Sequence, residues 1–288
     1  MRIAVTGPHG NVGKALIKRG AIPMFCDVTD IDSIRKEVNR VLPDIIINPA
    51  SKSKPDWCEK DENYRQALKV NADGILNLRV ASENIPIVAL STDHVFSGKL
   101  AYLRGVGWVK PGPYVEKDNP WPINAYGLTK LGMEYISETL SNVKVVRTSN
   151  CFWDKDHRAM WYINELYRSS HVYVPTFQTR SFMHMEHFCQ AIEEYAERFH
   201  EMPDVLHISG SKTVDWYTFI LAFAEAKGVS KPLMKKFRKR RQDDNRQAKR
   251  PKKAGLKVDL SARLRLPQFD YLDGMEVLRE GIRNHSSV

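Results

Sequence analysis

Cysteine is scarce in this chain. Cys26, Cys58, Cys151 and Cys189 stand far apart, and no C-x-x-C pair occurs. They read as reduced thiols of a cytoplasmic protein, so neither a zinc site nor a disulfide frame is expected. Long apolar runs are missing as well. Nowhere do about 18 apolar residues follow one another, so no membrane span and no membrane partner are expected. The N-terminus does not read as a signal peptide, because Gly7, Pro8, His9 and Gly10 interrupt its first apolar stretch. H-E-x-x-H is absent too. His184 and His187 flank Glu186 without a third ligand in the pattern, so they read as core or surface histidines and no metal is expected.

Net charge is absent from most of the sequence. The formal charge is +10, and residues 231–253, "KPLMKKFRKRRQDDNRQAKRPKK", hold all of it, with 12 Lys/Arg against 2 Asp/Glu. The rest of the chain balances. A neutral body with one basic segment is not the pattern of a nucleic-acid binder, so nucleic acid is not an expected partner. Residues 231–249 read as a mobile basic loop, because a run of like charges repels itself and stays solvated.

What is present begins at residue 1. "RIAVTG" has the β-branched and apolar content of a buried parallel strand, and "GKALIKRG" reads as a short helix closed by Gly20. Between them "TGPHGNVG" is G-x-x-G-x-x-G. Gly7 permits a tight turn, Gly10 lets a pyrophosphate approach the backbone, and Gly13 lets the helix pack on the strand. The helix N-terminus then offers free N–H groups to phosphate. Further apolar runs follow in "DIIINPAS" (44–51), "NIPIVALSTDHVFSG" (84–98) and "VKVVRTSN" (143–150). Helical stretches at 30–41, 61–83 and 126–141 separate them. Strands alternating with helices predict an α/β fold, a Rossmann-like doubly wound parallel sheet.

"NAYGLTKLGMEYI" (124–136) contains Y-x-x-x-K, which puts Tyr126 and Lys130 on one helical face. An ammonium beside a phenol favours phenolate and lowers the Tyr126 pKa. Tyr126 is then a candidate general acid for an alkoxide formed by hydride transfer. Thr92 lies just past a strand, where its hydroxyl can reach the same oxygen.

These segments, with "DVTD" (27–30), "VNADGILNL" (70–78), "LHISGS" and "KRPKKAGLKVDLSARL", resemble the extended short-chain dehydrogenase/reductases, and among them the dTDP-4-dehydrorhamnose reductases. The resemblance covers nearly the whole chain. It implies a Rossmann domain over 1–150 that binds NADPH or NADH, and a smaller C-terminal α/β portion over 151–288 that binds substrate. A strand near 205–211 would return to the first domain. It implies reduction of the 4-keto group of a nucleotide-linked deoxysugar, with Thr92, Tyr126 and Lys130 as the catalytic trio. Gly7, Gly10, Asn11, Val12 and Gly13 would surround the pyrophosphate. Asp27, Val28 and Ala50 would meet the rest of the cofactor, Lys130 would hold the nicotinamide ribose, and Asn71 would support the network. Asp93, His94, Asn150, Trp153, Arg180 and Arg250 are the candidate substrate contacts, and a homodimer is allowed. Arg180 sits in "QTRSF", which resembles a segment of nucleotide-sugar decarboxylases and dehydratases whose arginine meets the diphosphate. A planar guanidinium suits that role because its fork donates two parallel hydrogen bonds.

The sequence departs from the reductase pattern in three places. "GAIPMFCDVTD" skips the second-strand residue that reads the adenosine ribose. "SGKLAYLRGVGWVKPGPYVEKDNPW" (97–121) is longer than the usual loop and would lie beside the substrate mouth. Asn150 and Trp153 stand where an aromatic usually follows "RTS". The competing expectations are an epimerase or dehydratase and a non-catalytic regulatory subunit like that of methionine adenosyltransferase. Asp93-His94 in place of an Asp-Glu pair weighs against the dehydratase, because His94 is a poor substitute for a Glu that abstracts an α-proton.

Overall fold

A computed structural model describes residues 1–105, 107–241 and 247–285. The first half alternates strand and helix: β1 (Ile3–Val5), α1 (Asn11–Lys18), β2 (Ile22–Pro23), α2 (Ile31–Val41), β3 (Ile45–Asn48), α3 (Pro55–Cys58), α4 (Asp61–Leu68), α5 (Gly74–Ser82) and β4 (Ile87–Thr92). A hairpin of β5 (Ala101–Leu103) and β6 (Gly107–Val109) precedes α6 (Ala125–Glu138) and β7 (Val143–Thr148). Then come β8 (Cys151–Phe152), α7 (His157–Leu166), β9 (Val172–Pro175), β10 (Thr179–Arg180), β11 (Met183–His184), α8 (Met185–Glu197) and β12 (Val205–His207). The chain continues through β13 (Val214–Asp215), α9 (Trp216–Ala226), α10 (Lys231–Met234), β14 (Phe237–Arg240), α11 (Asp259–Arg263) and α12 (Tyr271–His285).

The central sheet runs β12-β7-β4-β3-β1-β2, with every pairing parallel. Strands β3 and β4 are buried along their whole length, as parallel strands covered on both faces must be. On one face Ile34, Val38, Ile75, Leu78 and Met133 from α2, α5 and α6 pack against Ile46 and Ala89. On the other, Leu16 of α1 and Phe188, Cys189 and Ile192 of α8 cover Val5, Ile47 and Val88. The strand order reverses at β1, and in such sheets a crevice opens at that switch point beyond the carboxyl ends. A second core gathers Phe152, Phe182, Phe219 and Phe223 with Val172, Val174 and Phe237 from the β9–β14 pair.

Two stretches differ from the sequence reading. The helix expected over 61–83 is interrupted by a π-helical turn at Lys69–Asp73, which turns Asn71 inward. The Asn71 amide reaches Thr129 Oγ1 (2.9 Å) and its carbonyl oxygen accepts from Lys52 N (2.7 Å). The basic loop expected over 231–249 is a short helix followed by β14, which pairs in parallel with β9 from Phe237↔Val172 to Arg240↔Pro175. Buried Phe237 anchors this strand in the second core, while Arg238 and Lys239 are exposed and Arg240 is half-buried against Phe177. Residues 242–246 of the expected loop lie outside the described residues. Among the described residues no helix is long and apolar enough to cross a membrane.

Candidate active site

The turn from β1 into α1 has the geometry the three glycines require. Gly7 adopts φ +56°, and an added Cβ there would lie 3.1 Å from the Ala50 backbone. A Cβ on Gly13 would lie 2.4 Å from the Gly7 carbonyl oxygen, so only glycine lets α1 start against the turn. Gly10 is the N-cap of α1, and no side chain caps the helix. Its first N–H groups therefore remain available to an anion at the positive end of the helix dipole.

These groups line a cavity of about 860 Å³. Gly7, Gly10, Asn11, Val12 and Gly13 line it together with Asp27, Val28, Ala50, Tyr126, Lys130 and Trp153. A dinucleotide fits these residues: an uncapped helix start for phosphates, and a phenol with an ammonium in the same cavity. Asp27 lies where the truncated second strand delivers the chain, and its carboxylate accepts from Thr29 N (2.9 Å) and Thr29 Oγ1 (2.8 Å). Those bonds hold it below the usual carboxylate range.

Tyr126 rises from the first turn of α6, whose N-cap Asn124 accepts from Gly127 N at 2.8 Å. Burial pushes its phenol above the ordinary range, and hydrogen bonds with Thr92 and Ser51 pull part of the way back. The Lys130 ammonium donates to the Leu90 carbonyl at 2.7 Å. Burial lowers its pKa to about 8, against the pull of Glu134. The expected lowering of Tyr126 by Lys130 does not occur here: desolvation raises the phenol, and the groups that oppose the rise are Thr92 and Ser51.

The candidate substrate contacts divide. Trp153 lines the cavity, whereas Asp93, His94, Asn150, Arg180 and Arg250 do not. Asp93 is buried and accepts from Ser149 Oγ at 2.7 Å, and it pairs with Arg180 Nε at 3.2 Å. Arg180, expected on a diphosphate, is held inside instead, because burial makes an acidic partner necessary. The His94 ring meets Tyr126 edge-on at 5.6 Å, and its Nδ1 lies 3.1 Å from Asn124 Nδ2. Burial first, then Arg180 and Arg250, lowers its pKa to about 3, so the imidazole is neutral. Asn150 offers its carbonyl oxygen to Met183 N at 3.1 Å. Arg250 forms a two-pronged pair with Asp56, at 3.1 and 2.7 Å.

Residue-by-residue reading missed several neighbours. Ser51, Lys52, Leu90, Ser149, Cys151 and Met185 also line the cavity. Leu90 acts through its carbonyl, which no residue type can signal. Glu134 and Arg147 form a buried pair behind Lys130. Two signals for them were available: a Glu four residues after the lysine, and an Arg directly after the apolar pair Val145–Val146 of β7. The long 97–121 segment carries its hairpin with Tyr102 and Trp108 exposed, while buried Tyr114 stacks on Phe96 at 4.0 Å. Backbone bonds from Gly112 N to Lys253 O and Tyr114 N to Gly255 O, both 2.8 Å, tie that segment to the late part of the chain.

Comparison with known proteins agrees with this layout. A family model described as "RmlD substrate binding domain" matches residues 1–272. A dTDP-4-dehydrorhamnose reductase from Sinorhizobium fredii is 28% identical over 243 residues, covering 76% of each chain. The methionine adenosyltransferase 2 subunit beta of Rattus norvegicus is 24% identical over 250 residues, covering 78% of this chain and 72% of its own. The crystal structure of dTDP-4-dehydrorhamnose reductase from Bacillus anthracis in complex with NADP superposes with a TM-score of 0.82 at 23% identity, covering 96% of this chain and 98% of the other.

Proposed function

The chain belongs to the RmlD substrate binding domain family, and we propose that it uses NADPH or NADH to reduce the 4-keto group of a nucleotide-linked deoxysugar. One observation carries this reading: the uncapped glycine turn, Tyr126 and Lys130 share a single cavity. A nicotinamide cofactor supplies the hydride when bound. The N–H groups of Asn11, Val12 and Gly13 would bind its pyrophosphate, and Asp27, Val28 and Ala50 would flank its adenosine half. Lys130 would hold the nicotinamide ribose.

Tyr126 would give its proton to the alkoxide oxygen, and its raised pKa keeps it in the acid form at neutral pH. Thr92, already bonded to Tyr126, would orient the carbonyl. Asn71 would fix the backbone of Lys52 beside the site. Trp153, Asn150 and neutral His94 would face the sugar. Arg250 would meet the diphosphate by leaving exposed Asp56, and Arg180 would act through Asp93. Residues 1–150 would serve the cofactor and 151–288 the substrate. A homodimer would cover Leu76 and Val80 of α5 with Leu128 and Tyr135 of α6, which are exposed. The four free thiols suit a reducing cytoplasm.

The test is oxidation of NADPH, followed by absorbance, with a dTDP-4-keto-6-deoxysugar. Turnover supports the reading. Cofactor binding without turnover would favour a regulatory subunit, which the likeness to the adenosyltransferase subunit motivates. Loss of water from a dTDP-hexose without net cofactor oxidation would point to a dehydratase.

A further inference from the structure

Glu134 lies four residues after Lys130 on α6, so the two share a face, and both are 3% exposed. Its carboxylate takes a fork from Arg147 on β7, with Nε at 3.0 and 3.2 Å and a terminal nitrogen at 2.7 Å. It also accepts the hydroxyl of Ser91 on β4. Arg147 donates its other terminal nitrogen to Glu116 O at 3.2 Å and lies over the Phe96 ring at 5.2 Å. The ion pair is therefore fully partnered and dry.

Such a pair is weak reason for stability, since apolar residues of equal volume often do as well. Its place is more informative. Ser91 has two chain neighbours: Leu90, whose carbonyl holds the Lys130 ammonium, and Thr92, which bonds Tyr126. One carboxylate thus ties the strand that presents Leu90 and Thr92 to the helix that presents Tyr126 and Lys130.

We propose that Glu134 is a positioning residue: braced by Arg147, it holds Ser91, so that Leu90 and Thr92 keep their register against α6 and the Leu90 carbonyl stays on the Lys130 ammonium. The kinetic part of this inference rests on the reductase reading, while the state of Lys130 does not. Lys130 shares its helix with Tyr126 and Glu134 and its cavity with Asp27, Lys52, Lys69 and Cys151; Arg147 on β7 pairs with Glu134, and Asp93 and Cys58 act on Tyr126. Glu134 opposes the burial that lowers the Lys130 pKa. Without its charge, burial acts alone.

The direct measurement is the Lys130 ammonium titration, read by NMR on isotope-labelled lysine in the full chain. In Glu134→Gln the midpoint should fall by about one pH unit or more, the scale of losing a nearby opposite charge. The alkaline limb of kcat/KM should move down by the same amount, and Glu134→Asp should restore most of it. Ser91→Ala keeps the charge, so the midpoint should hold while kcat falls several-fold with KM nearly unchanged. Should Glu134→Gln fail to fold, Ser91→Ala is read instead, since it removes the tie and leaves every charge in place. An unmoved midpoint in folded Glu134→Gln, or an unchanged kcat in Ser91→Ala of a chain whose parent turns over, overturns the proposal. A shifted midpoint in a protein that never turns over a keto sugar overturns the reductase reading alone.

Discussion

Arg180 Nε lies 3.2 Å from Asp93 Oδ2, and each side chain is only 3% exposed. This pair joins the end of β4 to β10 in the substrate portion. Burial pulls each partner toward its neutral form, and the pairing opposes that pull. Removing one partner strands the other, so Arg180→Ala should lower unfolding free energy by about 3–5 kcal/mol. Replacing both, as Arg180→Met with Asp93→Leu, should cost much less. Urea unfolding of the three proteins checks this. Equal stability of Arg180→Ala and the parent would mean that the arginine is free to serve a ligand.

The two later glycines of the turn should respond differently to a methyl group. At Gly13 the new Cβ would lie 2.4 Å from Gly7 O, and at Gly10 it would meet the same atom at 3.3 Å. Gly13→Ala should therefore destabilise by about 1–3 kcal/mol, the usual cost of overpacking. Gly10→Ala should fold normally, and Gly10→Val should fold yet lose dinucleotide binding, because its side chain enters the phosphate position. Thermal unfolding and cofactor fluorescence titration separate the two effects.

Tyr126→Phe should keep cofactor affinity and lose turnover by about a hundredfold or more, the scale of a positioned acid. Full activity toward a 4-keto sugar nucleotide would place the proton donor elsewhere.

The sheet was legible because β1, β3, β4 and β7 are apolar runs separated by strong turn residues. β2 was not, since two residues carry no period. The break at Lys69–Asp73 was hidden because no residue type in KVNAD marks a π-helical turn inside a helical stretch. β14 was hidden by composition: its cations outnumber the one apolar residue, Phe237, that decides its place. Of the site, the candidate residues could be named from local motifs. The partners of Arg180 and Arg250 could not, because pairing with Asp93 and Asp56 depends on tertiary contacts that no local spacing encodes.

Strand β14 offers a clean contrast. Phe237 is buried, and Arg238 and Lys239 beside it are exposed. Phe237→Ala should cost about 3–5 kcal/mol, as for other large core residues. Gln at both Arg238 and Lys239 should change stability by no more than about 0.5 kcal/mol, as surface changes do. Gln replacement of the cations from Lys235 to Arg241 should leave turnover at saturating substrate nearly intact, and any loss in capture should fade with salt. A larger effect from the Gln variants than from Phe237→Ala would show that charge, not the aromatic anchor, holds the strand.

Buried and half-buried histidines set the acid side of the stability profile, His207 and His184 together with His94 and His187, whose pKa values are also lowered. His207 is fully buried with its Nδ1 3.2 Å from Lys257 O, and burial together with Arg147 lowers its pKa to about 3. His184 caps α8 by accepting from Glu186 N at 3.3 Å, and burial together with His187 lowers its pKa to about 4. Both pKa values lie below the unfolded value of about 6.5. Between 6.5 and the folded values the unfolded chain binds more protons, so stability falls as pH drops through that window. Each histidine should contribute up to about 1.4 kcal/mol per pH unit there. Asp27 and Glu37, whose pKa values are also lowered, add their losses only at more acid pH. His184→Asn retains a capping side chain and removes one titration, so it should be near-neutral at pH 7 and flatten the slope between pH 6.5 and 4.5. Urea unfolding across that range is the check, and an unchanged slope in His184→Asn would remove His184 from the sources of acid sensitivity.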